Sequence, residues 1–251
     1  MHRSPPIPSQ TDYEVRFEWG LPGLEALATG CDTVVVVDTL SFSTAVVTAL
    51  GCGAKLYPYR FSDDSARAVA KKLGASLAVR RRSMSATRPF SLSPESMEKA
   101  RPGQKIVLPS PNGATLSLRA AEIYEHVLCG CLRNATAVAI EARSLGHTVA
   151  VIAAGERWRG SAGEMRVAVE DLLGAGAILS HMHGALSPEA KVAAEAFRAA
   201  SSDIEKLLLE CTSGRQLAES GYAQDVRLAA QVDVSRTVPH LVDGAYVPLA
   251  H

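Results

Sequence analysis

No apolar run in this 251-residue chain approaches the ~20 residues that cross a bilayer; the strongest, residues 33–37, is strand-sized. Charge of one sign is not in excess: Lys plus Arg and Asp plus Glu stand at 26 each, so the summed field gives no reason to expect a nucleic-acid partner. No secretory leader is visible, and the five cysteines, Cys31, Cys52, Cys129, Cys131 and Cys211, are odd in number, so reduced thiols in a cytoplasmic protein are expected. Cys129-Gly-Cys131 lacks the two-residue spacing of common zinc and redox pairs, and no second pair completes a four-ligand set, which argues against structural zinc. A Gly-x-Ser-x-Gly elbow is missing too, which argues against a serine hydrolase built on Ser41 or Ser43.

Hydrophobic residues at 47% and charged residues at 21% are typical of a compact globular chain. Residues 1–12, with Pro5, Pro6 and Pro8, read as a flexible terminus. Residues 13–251 read as a single domain, with two subdomains divided by a weak break near residue 130 left open. Short β-branched runs alternate with Ala-rich segments, the pattern of strand-helix-strand units around a largely parallel sheet, and hence an α/β fold. Strands are expected at 33–37, 54–59, 76–79, 105–108, 126–129 and 148–153. Helices are expected at 43–50, 63–73, 114–124, 134–145 and 166–179, and through most of 188–231. Between them, residues 80–102 form a long loop with a short helix at 94–100, and the Arg80-Arg81-Arg82 run is either a solvated turn or a reach over an anion. One more strand is expected near the end.

Four junctions share one design, in which an apolar strand ends, polar residues with Gly or Pro follow, and a helix begins: 38–44, 109–115, 130–134 and 155–171. In a parallel sheet such junctions fall on one edge, so their side chains can converge. Asp38 stands directly before the hydroxyls of Ser43 and Thr44 at a helix start, where free N–H groups attract an anion. A carboxylate beside that anion calls for an intervening cation such as Mg²⁺, unless Asp38 or Ser43 serves only as a helix cap. Asn112 and Gly113 belong to a Pro-braced turn that lets main-chain N–H groups approach a ligand. Arg133 and Asn134 offer a guanidinium and an amide before a helix. Glu156 and Arg157 end a strand, and Glu170-Asp171 lies in a helix otherwise filled with Val, Leu, Ala and Gly. Unpaired burial of those acids is unfavourable, which points either to a hard-oxygen Mg²⁺ site or to an arginine–carboxylate brace. No His occupies any of the four junctions, so a covalent nucleophile has no obvious base.

In this order and spacing, Asp38-Thr39-Leu40 with Ser43-Thr44, Ser110-Pro111-Asn112-Gly113, Leu132-Arg133-Asn134-Ala135, Gly155-Glu156-Arg157, Glu170-Asp171-Leu172-Leu173-Gly174 and Ser213-Gly214-Arg215 resemble the 2-phosphosulfolactate phosphatase (ComB-like) family, from about Asp32 to the end. The resemblance implies layered helices around a mixed, largely parallel sheet, and Mg²⁺-dependent hydrolysis of a phosphate ester on a small sulfonated hydroxy acid, a step of coenzyme M biosynthesis. On this reading Asp38, Glu156 and Arg157 are catalytic, and Asp38, Glu156, Glu170 and Asp171 gather the metal. Ser43, Thr44, Asn112, Gly113, Arg133, Asn134 and Arg215 hold the anionic substrate. No membrane partner is implied, and a homodimer is left open. Two departures stand out: Ser41-Phe42 replaces the family's usual Arg-Ala, and residues 85–93 lack the usual acids. A non-catalytic member that binds an anionic metabolite is the alternative.

Overall fold

The computed structural model describes residues 10–27, 30–158 and 164–249. The strands are β1 (Val15–Trp19), β2 (Thr33–Val37), β3 (Lys55–Tyr59), β4 (Ser76–Leu77), β5 (Lys105–Pro109), β6 (His126–Gly130), β7 (Val149–Ala153), β8 (Glu156–Arg157), β9 (Met165–Arg166), β10 (Pro239–Val242) and β11 (Ala245–Pro248). The helices are α1 (Gly20–Ala26), α2 (Phe42–Gly51), α3 (Asp64–Leu73), α4 (Pro94–Met97), α5 (Gly113–Ala120), α6 (Ala135–Leu145), α7 (Val169–Ser180), α8 (Pro188–Ala200), α9 (Ile204–Glu210), α10 (Thr212–Glu219) and α11 (Ala223–Ala229). The fold is α/β, with helices packed around a mixed, mostly parallel sheet, as expected.

Nine strands run in the order β1-β7-β2-β6-β10-β11-β3-β5-β4. Two parallel sections, β1-β7-β2-β6 and β3-β5-β4, are joined by the antiparallel β10–β11 hairpin, which meets them through His240 opposite Leu128 and Tyr246 opposite Leu56. The sequence shows why β2 reads as an unbroken apolar run. Val35 and Val37 enter a core with α6, α7 and α8, while Val34 and Val36 enter a second core with Phe42, Leu56, Leu108 and Ala114. Side chains alternate across a strand, so covering both faces demands apolar residues at every position. The second core unites side chains of β2, β6 and β7 with those of β3 and β5, so the two sections wrap around α2 and α5. Strand ends distant in sheet order thereby come within reach of one another. At residue 130, where a weak break was expected, β6 ends, with Leu128 in one core and Cys129 in the other.

Several elements differ from the sequence expectation. Residues 1–9 of the expected flexible terminus lie outside the described residues, but Gln10 is buried, and its amide both donates to and accepts from the Phe17 main chain. The strand β1 and helix α1 follow at once. The helix expected from residue 166 begins at Val169, because Met165–Arg166 instead pairs antiparallel with Glu156–Arg157. Two terminal strands, not one, close the chain.

Candidate active site

The turn after β2 is locked by its own hydroxyls. Ser43 Oγ accepts from the Asp38 N–H at 2.9 Å and from Cys129 Sγ at 3.2 Å, and the Thr44 hydroxyl donates to the Thr39 carbonyl at 2.8 Å. Both side chains are fully buried and hold the backbone of the turn. This fixes the Asp38 carboxylate, whose Oδ1 accepts from Phe42 N–H at 3.3 Å and whose Oδ2 accepts from Gly113 N–H at 2.8 Å. Gly113 can approach so closely only because it has no side chain: a Cβ there would lie 2.4 Å from Phe42 Cδ1 and 2.7 Å from Asp38 Oδ2.

The residue before it, Asn112, donates from Nδ2 to Glu156 Oε1 at 3.0 Å, an oxygen that also accepts from the Arg157 N–H at 2.7 Å. The Asp171 carboxylate, in the first turn of α7, accepts from Thr39 N–H at 2.7 Å and from Gly155 N–H at 2.9 Å, tying the ends of β2 and β7 to that helix. Its neighbour Glu170 is 2% exposed and accepts from Cys211 Sγ at 3.4 Å. The first, second and fourth junctions therefore meet on one rim, with Asp38 and Glu156 joined through the Asn112-Gly113 turn.

The electrostatics are those of uncompensated acids. Burial, followed by repulsion from Glu156 and Glu170, raises the Asp38 pKa to about 7 against the pull of the Gly113 and Phe42 N–H groups. Burial first, then Asp38 and Glu170, pushes Asp171 well above the usual carboxylate range. Burial and the adjacent Glu170 carboxylate take the Cys211 thiol up to about 12. Among the described residues, no Lys, Arg or His forms an ion pair with Asp38, Glu156, Glu170 or Asp171. Among the described residues, no arginine–carboxylate brace forms at these acids.

Hard oxygens with uncompensated charge suit Mg²⁺, which usually takes one or two carboxylates together with waters and substrate oxygens. Among the described residues, however, no three Asp, Glu, His or Cys side chains stand together as a preassembled metal cage. Each oxygen of Asp38 and of Asp171 accepts one backbone N–H and keeps a further lone pair for a cation.

The third-junction candidates bond the C-terminal segment. Asn134 accepts from Cys131 N–H at 3.0 Å and donates to the Thr237 carbonyl at 2.9 Å, and Arg133 donates to the Leu228 carbonyl at 2.8 Å and to the Gln231 side chain. The third junction therefore fastens the C-terminal segment, in place of facing the acids. Arg157 and Arg215 are exposed. What sequence reasoning did not reach is the anchoring of Arg81, which donates to Ser41 Oγ at 2.8 Å, to Asp225 Oδ2 at 3.0 Å and to the Leu92 carbonyl at 3.3 Å, and lies 5.3 Å from the Tyr222 ring centre. The arginine run signalled a cation there, but nothing local points to Asp225.

A family model described as 2-phosphosulpholactate phosphatase matches residues 24–244. A protein of Carboxydothermus hydrogenoformans is 32% identical over 222 residues, 85% of this chain and 89% of its own, and one of Deinococcus radiodurans is 29% identical over 225 residues, 86% of this chain and 90% of its own. Both bear the name "Probable 2-phosphosulfolactate phosphatase". A Methanothermobacter thermautotrophicus protein named 2-phosphosulfolactate phosphatase is 29% identical over 142 residues, 57% of this chain and 58% of its own. With matched sequence running from within α1 to the turn after β10, and three of the four junctions that drew the resemblance meeting at one rim, the chain belongs to the 2-phosphosulpholactate phosphatase family.

Proposed function

We propose that this chain hydrolyses the phosphate monoester of a small sulfonated hydroxy acid, 2-phosphosulfolactate or a close analogue, in a Mg²⁺-dependent reaction. The observation that carries the proposal is that Asp38 and Glu156 meet at the Asn112-Gly113 turn, with Glu170 near enough to raise the Asp38 pKa and no ion-paired cation among the described residues. A Mg²⁺ ion bound there would supply charge neutralisation for the phosphoryl oxygens and lower the pKa of attacking water. Asp38 and Glu170 are the buried acids that would hold it. Asp171 shapes the pocket by fixing the Thr39 and Gly155 backbone. Glu156, half-buried and aimed by Asn112, accepts the proton of the water that attacks phosphorus as the P–O ester bond breaks. Phosphate and the free hydroxy acid are the products.

The name carried by relatives supports the substrate class, and placement in coenzyme M biosynthesis rests on the same likeness. A cytoplasmic setting is supported by five cysteines that all remain free. No helix among the described residues is long and apolar enough to cross a membrane. A purely anion-binding member has no use for buried acids at the rim, so that alternative is not favoured. The test is phosphate release from 2-phosphosulfolactate after chelation and again after Mg²⁺ is restored. Turnover that returns only with the metal supports the reading; equal turnover in both removes the metal from it, and no turnover in either removes the reaction.

A further inference from the structure

Beside the acidic rim lies a cavity of about 750 Å³ whose wall carries four arginines, Arg60, Arg80, Arg81 and Arg82, and not one Asp or Glu. Two elements join it to the rim. Ser110 and Pro111 line it and lead directly into Asn112 and Gly113, while Arg81 forms its wall and bonds Ser41, three residues after Asp38. The arginines are not equivalent. Arg81 is neutralised by the buried Asp225, which also accepts from Ser93 Oγ at 2.5 Å, so it is a fixed part of the wall. Arg60 has a loose partner in Glu122 at 3.5 Å. Arg80 and Arg82 flank the anchored residue on an exposed turn and have no ion pair among the described residues. Like charges held at one mouth by a locked backbone are unfavourable until an anion arrives, and a planar guanidinium matches carboxylate and sulfonate oxygens through paired N–H donors.

Resting on the phosphatase reading, we propose that this cavity receives the non-reacting acidic end of the substrate while the phosphoryl group sits at the acidic rim, and that Arg80 and Arg82 are specificity-determining residues. The separation of charge explains the layout: acids with a cation grip one end, and free arginines grip the other. A volume of about 750 Å³ also exceeds what a three-carbon acid fills, so longer acidic phosphomonoesters fit the same cavity.

The experiment compares two esters, 2-phosphosulfolactate and p-nitrophenyl phosphate, the second of which has no further acidic group. For the full chain and for Arg82→Ala and Arg80→Ala plus Arg82→Ala, the ratio of the two kcat/KM values is measured. A charge-assisted hydrogen bond lost from the acidic end collapses that ratio by about tenfold or more, mainly through KM of the acidic ester, with partial recovery in Arg82→Lys. An unchanged ratio overturns the proposal, including the case in which both esters lose equally. Calorimetry with sulfolactate separates this inference from the activity itself. If the unaltered chain hydrolyses no ester, the phosphatase reading fails, whereas the cavity assignment survives only if sulfolactate binds and the double arginine variant abolishes that binding.

Discussion

Adding one methyl group at Gly113 tests the link between core packing and the acidic rim. In Gly113→Ala the new Cβ lies 2.4 Å from Phe42 Cδ1 and 2.7 Å from both Phe42 Cγ and Asp38 Oδ2, against about 3.5–4.0 Å for a relaxed carbon contact. Phe42 is fully buried and packs edge-on against the equally buried Tyr246, so the ring has nowhere to go. The start of α5 must retreat by about an ångström, which breaks the 2.8 Å bond from Gly113 N–H to Asp38. Overpacking costs about 1–3 kcal/mol and the lost hydrogen bond to an acid about 1.5–3 kcal/mol. The two are not strictly additive, so a loss on the order of 2–5 kcal/mol is expected, or roughly 4–20 °C in Tm for a chain of this size. Thermal unfolding measures it, and phosphate release at low temperature, where the variant stays folded, should fall with it. Gly103→Ala is the control. Its φ of +75° makes alanine unfavourable by about 1–2 kcal/mol through backbone strain alone, and no atom stands within 4 Å of the added Cβ. If the two variants match in both stability and turnover, the packing argument at Gly113 is wrong.

Glu156→Gln keeps the contact with Asn112 but removes the base, so turnover is expected to fall by about 10²–10⁴ with Tm nearly unchanged; a variant that retains full kcat excludes Glu156 from proton transfer. Asn134→Ala should destabilise the fold by about 1–3 kcal/mol by leaving the Cys131 N–H and Thr237 carbonyl unpaired, and a denaturation curve with a KM measurement will tell this role from phosphate binding. Metal-free protein should lose stability as pH rises from about 4 to 7. The folded pKa of Asp38, about 7, exceeds the ordinary aspartate value of 3.8, so the native state holds the extra proton across this window and must give it up at the top. Asp171 shifts in the same direction. Tm measured in chelator at pH 5 and pH 8 should therefore drop, Mg²⁺ should restore more at pH 8, and a flat profile contradicts the buried-acid account.

Much of the scaffold was readable from local pattern. The continuous valines of β2 and the Ala-rich stretch that became α6 report burial directly, and the polar residues after each apolar run marked the junctions. The strand β1 escaped, although Val15 and Phe17 alternate with Arg16 and Glu18, because an edge strand beside a proline-rich terminus carries a short signal. Residues 165–166 were absorbed into a helix because two-residue pairing across β8 and β9 has no period to detect.

The sequence by itself determined the α/β class, the four polar junctions after apolar strands, and the acids at 38, 156, 170 and 171, since hydrophobic period and the unfavourable burial of charge are local properties; that three of the four junctions meet was decided by the fold. Tertiary structure alone decided which polar groups face one another. Arg81 reaches Asp225 across 144 residues, Thr39 finds Asp171 across 132, and Asn134 turns to Thr237 and away from the rim. Hydrogen bonds of that range depend on how two parallel sections wrap a shared core, and no stretch of chain short enough to show a period contains both partners.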